Sequence, residues 1–186
     1  VKSDVVQIGI TMQLVKQPVT VYAVNGVTAK TSVKAKGDGL NYQWYVKNIG
    51  ATKYSKSSHV SSEYRATMSS KSMGRAAYCV VSDMYGNSVK TKTVYLRMKA
   101  SITEQPEEVI VAKGAKAKTA VKALGDGLTY QWYVKNPGAS KFSKSSVTSA
   151  TYSCTMSAKA DGRQIYCVIK DKYGYSVKTN TVILSM

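Results

Sequence analysis

The chain repeats itself. A shift of about 88 residues places the segment GDGLNYQWYVKNIGA, residues 37–51, on GDGLTYQWYVKNPGA, residues 125–139, without a gap. The same shift places SVKTKTVYLRM, residues 88–98, on SVKTNTVILSM at the end of the chain. More than half of the aligned positions are identical, so the 186 residues comprise two copies of one unit. Each copy has the length of a small independent domain.

Within each copy, apolar residues alternate with polar residues, which indicates strands that bury one face. Glycine-rich segments such as 37–39 and 85–87 separate the alternating stretches and are typical of tight turns. The pattern predicts seven strands in the first copy, over residues 18–24, 28–36, 40–47, 52–57, 63–69, 76–83 and 88–98. Seven short strands per copy predict an all-β fold with one β-sandwich in each half of the chain.

Three motifs of the repeat carry a family resemblance: Q-P-x-x-V, G-D-G-L-x-Y-Q-W and G-R-x-x-Y-C-V-V-x-D-x-Y-G. On these motifs, the chain resembles the immunoglobulin-like (Ig-like) repeat domains of Gram-positive bacterial cell-surface proteins, and the resemblance covers both copies almost end to end. It implies two tandem Ig-like β-sandwiches of about seven strands each. It also implies a module of an extracellular protein used for spacing, display or adhesion, although a fold alone does not determine a function.

The strands that carry tryptophan and cysteine are predicted to supply the core. Trp44 and Cys79 take the core positions of an Ig-like domain in the first copy, and Trp132 and Cys167 repeat them in the second. The general Ig pattern has a second cysteine on the strand that here carries Val33. Cys79 therefore has no obvious disulfide partner.

The third cysteine, Cys154, occurs only in the second copy, where it replaces Ala66. It alternates with Tyr152 and Met156 on a predicted strand, so these side chains share one face. A disulfide between Cys154 and Cys167 across the sandwich is one hypothesis. The alternative is that the cysteines are buried thiols that pack as small hydrophobic side chains.

The repeat also predicts the domain boundaries. Residues 11–98 form Ig-like domain 1, residues 99–101 form a short linker, and residues 102–186 form Ig-like domain 2. Residues 6–10 align with the final strand of a copy, so we expect residues 1–10 to be the end strand of a preceding repeat in a longer array. The alternative is a disordered segment or a strand particular to this end of the chain.

The composition is strongly basic, with 27 lysine and arginine residues against 10 aspartate and glutamate residues, a net charge of +17. Such a surface attracts polyanions. Only four of the cations are arginines, whereas geometric recognition of bases and phosphates favours the arginine fork. The sequence therefore argues against nucleic acid and favours an anionic glycan or cell-wall polymer.

An outward face of tyrosine and lysine is the one positive candidate for a binding site. If Trp44 points inward, Tyr45 and Lys47 point outward by alternation. By the same alternation Tyr78 points outward on its own strand, which the resemblance to an Ig-like domain places beside that of Tyr45. The second copy repeats the arrangement with Tyr133, Lys135 and Tyr166. Aromatic rings beside cations suit anionic glycans or a protein partner, and the alternative is a cross-strand aromatic pair that only stabilises the sheet.

Residues suited to catalysis or metal binding form no complete site. The single histidine, His59, is Val147 in the second copy, so the serine-rich loop there lacks a histidine. Asp38 and Asp83 recur in turns that supply too few oxygens for calcium. An acidic cluster of the second copy, predicted to be a solvated edge, consists of Glu104, Glu107 and Glu108. We expect no enzyme activity, no cofactor and no metal.

Two functions remain. The first is a structural module of a longer Ig-like array, whose partners are other domains of the same bacterial surface protein. The second is an adhesion module that binds an anionic glycan, a cell-wall polymer or a host protein through the tyrosine and lysine face. Both place the chain outside the cell, on its surface or wall. We expect no membrane insertion of this segment, because no apolar run approaches the roughly 20 residues that cross a bilayer.

Overall fold

The computed structural model describes residues 9–186 of the chain, and every regular element in that range is a strand. The chain divides into two compact units, of which the second begins at Met98. The predicted all-β fold with a sandwich in each half is confirmed. The predicted end strand over residues 1–10 lies mainly outside the described residues, and Gly9 and Ile10 are not in a strand.

The strands of domain 1 are β1 (Gln13–Lys16), β2 (Val21–Ala23), β3 (Thr28–Ser32), β4 (Lys34–Lys36), β5 (Asn41–Lys47), β6 (Ser55–Lys56), β7 (Glu63–Thr67), β8 (Ala76–Ser82), β9 (Ser88–Lys90) and β10 (Val94–Met98). The larger sheet has the strand order β2-β10-β8-β5-β6, with β9 paired to β8. Two two-stranded sheets, β3-β7 and β1-β4, complete the sandwich.

Domain 2 has the same topology. Its strands are β11 (Ser101–Glu104), β12 (Val109–Ile110), β13 (Lys116–Ala120), β14 (Lys122–Leu124), β15 (Thr129–Lys135), β16 (Ser143–Lys144), β17 (Thr151–Thr155), β18 (Arg163–Lys170), β19 (Ser176–Lys178) and β20 (Val182–Ser185). The larger sheet has the order β12-β20-β18-β15-β16, with β19 paired to β18, and the smaller sheets are β13-β17 and β11-β14.

The core of domain 1 is built around the indole of Trp44. This side chain is fully buried and lies opposite Cys79 in the β5-β8 register. From the smaller sheet, Tyr64 packs against it with ring centroids 5.4 Å apart. The indole Nε1–H donates to the carbonyl of Ser61 at 2.9 Å, so the one polar atom of the ring is satisfied. The predicted core positions of domain 1 are therefore where alternation placed them.

Domain 2 repeats these core contacts. Trp132 is fully buried and lies opposite Cys167, which is also fully buried. Tyr152 packs against the indole of Trp132 with ring centroids 5.5 Å apart. The Nε1–H of this indole donates to the carbonyl of Ser149 at 2.8 Å. The same packing arises twice because the residues that make it are identical in the two copies.

An arginine at the start of the central strand ties the two layers of each domain together. Arg75 donates through Nε to Asn48 Oδ1 at 2.6 Å and through a terminal nitrogen to the hydroxyl of the buried Tyr64 at 3.0 Å. In domain 2, Arg163 makes the corresponding bonds to Asn136 and Tyr152 at 2.7 and 3.3 Å. Burial raises the pKa of the Tyr152 hydroxyl, and Arg163 partly offsets that shift.

The structure departs from the predicted strands at several places. Strand β1 (Gln13–Lys16), which pairs with β4, was not predicted. The predicted strand 28–36 is interrupted at Val33. The predicted strand 88–98 is interrupted at residues 91–93, because Thr91 turns its hydroxyl onto the backbone N–H of Cys79 at 2.9 Å. Ser101, predicted as linker, is the first residue of β11.

The disulfide between Cys154 and Cys167, one of the two hypotheses for these cysteines, is not present in the structure, where the three cysteines are free thiols. The register explains why. The residue of the smaller sheet that packs against Trp132, the register partner of Cys167, is Tyr152. Cys154 lies two residues farther along β17, a displacement of about 6.5 Å along a strand. Of the two hypotheses, the structure has the thiols that pack as small hydrophobic side chains.

Candidate functional site

The tyrosine and lysine face lies on the outside of the larger sheet of each domain. In domain 1, Tyr45 on β5 is the direct register partner of Tyr78 on β8. Their rings are stacked, with centroids 5.1 Å apart and planes 12° from parallel. Alternation places both side chains on the face opposite the buried Trp44. That these residues bind a ligand remains a prediction.

Two further side chains cover this tyrosine pair, and the sequence pattern did not predict them. Tyr54 packs its edge against Tyr78 at 4.8 Å, and the Nζ of Lys90 lies 4.0 Å from the centroid of Tyr78. The Nζ of Lys47 lies 5.3 Å from the ring of Tyr54. Burial, together with Tyr45 and Tyr54, raises the pKa of the Tyr78 hydroxyl. Side chains of the domain itself therefore occupy the surroundings of Tyr78.

Domain 2 builds the same cluster. Tyr133 and Tyr166 stack at 5.0 Å with planes 11° from parallel. Phe142 replaces Tyr54 as the edge contact at 4.8 Å, and Lys178 Nζ lies 3.9 Å from the ring of Tyr166. Lys135 Nζ lies 5.5 Å from the ring of Phe142. The repeat could have identified Tyr54 and Lys90, because the second copy has an aromatic residue at the position of Tyr54 and a lysine at the position of Lys90.

The cluster has the chemistry of a cation–π network. Lysine near an aromatic ring is attracted to the ring quadrupole, with an effect of about 0.5–1 kcal/mol at exposed sites. Cross-strand aromatic pairs add about 0.2–1 kcal/mol to a sheet. The outward positions of β5 and β8 carry no carboxylate, so the face is cationic. The geometry therefore stabilises the sheet and leaves a positively charged surface.

The aspartate after β8 holds the turn that follows it. Asp83 Oδ1 accepts hydrogen bonds from the backbone N–H groups of Tyr85 and Asn87 at 3.0 and 2.9 Å. The side-chain amide of Asn87 donates to Asp83 Oδ2 at 2.9 Å. These hydrogen bonds lower the pKa of the Asp83 carboxyl, and the bond from the Asn87 side chain has the largest effect. The carboxylate therefore binds amides of its own turn.

Asp171 has the corresponding role in domain 2. It accepts backbone N–H groups of Tyr173 and Tyr175 at 2.9 and 3.0 Å, and that of Ala100 at 2.9 Å. The hydroxyl of Tyr173 donates to Asp126 Oδ2 at 2.6 Å. The recurring aspartates thus connect the turns at one end of each sandwich.

Within residues 9–186, no group of three or more histidine, cysteine, aspartate or glutamate side chains is placed to hold a metal ion.

His59 and Glu104, a member of the acidic cluster, each have a local partner. His59 Nδ1 lies 3.0 Å from Ser57 Oγ, and its ring packs against Tyr64 at 4.8 Å. Glu104 forms an ion pair with Lys122 at 2.8 Å. The acidic cluster borders an open groove of about 290 Å³, which is lined by Glu104, Gln105, Glu107, Glu108, Val109, Lys118, Thr119, Ala120 and Lys122. Carboxylates and ammonium groups therefore stand side by side in this groove.

A membrane-spanning helix is absent from the part of the chain that the structure describes.

Comparison with known proteins identifies the fold. No family model matches the chain, and neither does any curated protein sequence. The structure of the N-terminal four Ig domains of Dscam1 isoform 7.44 matches 95% of this chain with a TM-score of 0.60 at 14% sequence identity. This match covers 46% of the Dscam1 chain, so the present chain spans about half its length.

Two further structures match over nearly the whole chain. A three-Ig structure of titin domains matches 94% of this chain and 65% of its own, with a TM-score of 0.56 at 12% identity. A chain of the structure of Dpr11 IG1 bound to DIP-gamma matches 95% of this chain and 98% of its own, with a TM-score of 0.51 at 13% identity. At these identities the likeness shows the fold alone, which is two tandem Ig-like domains.

Proposed function

We propose that the chain is a non-catalytic spacer module of a bacterial cell-surface protein, part of a longer Ig-like array that displays other domains. The observation that carries this proposal is the duplication of one domain with the same internal contacts. The core tryptophans, the arginine bonds and the turn aspartates recur at equivalent positions. A function that depends on length and repetition uses this organisation directly, because adding copies adds length.

The distribution of the polar groups also supports a spacer. The carboxylates of Asp83 and Asp171 bind amides of their own turns, and His59 lies against Ser57. The two aspartates stabilise equivalent turns in both domains, whereas the histidine occurs in only one copy. An enzyme instead gathers titratable groups with shifted pKa values in one cleft.

Replacement of the two domains within the full-length protein tests the spacer role. An unrelated Ig-like pair of equal length should keep the neighbouring domain accessible to antibody on intact cells. Deletion of one copy should reduce that accessibility, because it removes one domain of the array. A protein that carries the unrelated pair at normal surface levels but loses its function would contradict the proposal.

The second candidate is adhesion through the tyrosine and lysine face. The stacked Tyr45 and Tyr78 beside Lys90, repeated in domain 2, favour it. Against it, the surroundings of Tyr78 are occupied by Tyr45, Tyr54 and Lys90. A filled aromatic cluster stabilises a sheet whether or not a ligand exists, so the spacer takes precedence.

Arrays of glycans and wall polymers, probed with the whole chain at physiological salt, separate the two functions. An adhesion module retains saturable binding that is lost in the double variant Tyr45→Ala with Tyr133→Ala. The matched control is Tyr54→Phe, which gives domain 1 the residue that domain 2 already has. A spacer shows only weak retention that salt abolishes, equally in all variants.

A further inference from the structure

A second cationic surface lies on the opposite side of domain 1, on the outer face of its smaller sheets. We call it the lysine face. Strands β3 and β4 together present every second residue to solvent, while Ala29, Thr31 and Val33 between them are buried. Neighbouring strands add two cations. The lysine face consists of Lys16, Lys30, Lys34, Lys36 and Arg65, all of them exposed.

The register of the lysine face puts like charges directly opposite each other. Lys16 on β1 is the register partner of Lys34 on β4, and Lys30 on β3 is the register partner of Arg65 on β7. Like charges at directly opposed positions destabilise a sheet. The one carboxylate at these strand positions, Glu63, is paired with Arg65. The opposition of Lys16 and Lys34 is therefore an arrangement that folding stability alone does not favour.

Domain 2 shows that the fold does not require these like-charge pairs. At the position of Lys16 it has Glu104, which forms an ion pair with Lys122 at 2.8 Å. At the position of Arg65 it has the neutral Ser153, opposite Lys118. Both like-charge pairs of domain 1 are thus absent from domain 2, although there Thr151 also replaces Glu63, the ion-pair partner of Arg65.

We infer that the lysine face of domain 1 binds a flexible linear phosphate polymer. Alternate residues of a strand are about 6.6 Å apart, so Lys30, Lys34 and Lys36 form a row of charges along the strand direction. A polymer with a phosphate in every unit neutralises such a row and relieves the repulsion between Lys16 and Lys34. Binding then releases the counterions of the polymer, which makes the affinity depend on salt.

The residue types on the lysine face favour a polymer that is bound through charge alone, as a row of phosphates would be. Lysine binds phosphate as a compact point charge, whereas arginine suits geometric, bidentate recognition. The outward residues of strands β3, β4 and β7 include no aromatic side chain. Without a ring, the face has no platform on which nucleic acid bases or sugar rings stack. Charge alone is left for recognition.

Binding of end-labelled inorganic polyphosphate to the whole chain, measured by fluorescence anisotropy at about 50 mM salt, tests this inference. The variant Lys16→Glu should weaken binding about 10-fold and reduce the slope of log Kd against log salt concentration by about one. The variant should fold, because domain 2 carries glutamate at this position. The reverse variant, Glu104→Lys, should strengthen binding by giving domain 2 a similar face.

Lys71→Glu is the matched control, because it makes the same charge change at an exposed turn outside the lysine face. It should alter the polyphosphate affinity less than about 2-fold at low salt. Equal weakening by Lys16→Glu and Lys71→Glu would overturn the inference, since it would reveal attraction to the net charge only. Tighter binding of heparin or single-stranded DNA than of polyphosphate, at matched charge, would overturn the assignment to a phosphate polymer.

The inference is independent of the spacer role. A chain with Lys16→Glu keeps both domains and their length, so it should still display its neighbouring domain on cells. Loss of polyphosphate binding with normal display would separate the two properties. Failure of the domain replacement experiment would leave the polyphosphate result unchanged.

Discussion

The two domains agree in their interiors and differ on one exposed face. The indoles of Trp44 and Trp132 donate to equivalent carbonyls at 2.9 and 2.8 Å, and each packs against an equivalent tyrosine. On the outside of the smaller sheets, domain 1 opposes Lys16 to Lys34, whereas domain 2 pairs Glu104 with a lysine. Packing constrains the interiors to be alike. The two copies can therefore differ in function only through their exposed residues, such as these charges.

The interior comparison is tested most strongly at the tryptophans. Trp44→Ala and Trp132→Ala should each destabilise their own domain by about 3–5 kcal/mol, because each removes a large buried ring and its hydrogen bond. In each variant the remaining tryptophan reports on the other domain. Urea unfolding followed by fluorescence should show a normal midpoint for that tryptophan, and circular dichroism should show the early loss of the mutated domain. Clearly unequal costs would break the equivalence of the two cores.

The arginine bonds should reveal a smaller difference between the domains. Arg75→Met leaves the buried hydroxyl of Tyr64 without its donor, at a cost of about 1–3 kcal/mol. Arg163→Met should cost less, because its bond to Tyr152 is longer, 3.3 Å against 3.0 Å. The same variant should raise the pKa of Tyr152 further, since Arg163 now lowers it. Urea unfolding and NMR titration of labelled tyrosine check both points, and a larger cost in domain 2 would contradict them.

The two core cysteines should give both domains the same dependence of folding stability on pH. Burial raises the pKa of Cys79 and of Cys167 from 9.0 to about 11. The unfolded chain therefore loses each proton at a lower pH than the folded domain does. The stability contributed by each neutral thiol is fully present below pH 9 and is lost as the pH rises towards 11. The stability difference between wild type and Cys79→Ala, measured by urea unfolding, should shrink across that interval.

Cys167→Ala is the matched variant in domain 2 and should behave alike. A difference between wild type and variant that does not change between pH 9 and pH 11 would show that the thiol does not titrate as described.

The exchange of surface charges should have the smallest effect on stability. Lys16→Glu replaces a like-charge pair by the ion pair of domain 2, and it should stabilise domain 1 by less than about 1 kcal/mol. Glu104→Lys should destabilise domain 2 by a similar amount. The effect should decrease at high salt, which screens exposed charges. Destabilisation of domain 1 by Lys16→Glu would show that the two lysines do not repel each other in the folded protein.

Alternation and the repeat were sufficient to predict the sandwiches and the burial of the two tryptophans. They did not predict β1, whose exposed and half-buried residues lack a clear alternation and which forms only by pairing with β4. The cluster around Tyr78 was predicted in part, because period two places neighbours on one face. Tyr54 and Lys90 come from other strands and loops, and the sheet order alone brings them to the rings.

The sequence by itself determined that the chain has two equivalent domains, which residues face inward and where the turns lie. These properties are local, because they follow from the side-chain period and from residue types at fixed spacing. Only the tertiary structure decided the register of the strands and the pairing of β1 with β4. The strand register opposes Lys16 to Lys34 and places Tyr152, instead of Cys154, against the core indole. Pairing between distant segments depends on the packing of the whole sandwich, and no local pattern encodes it.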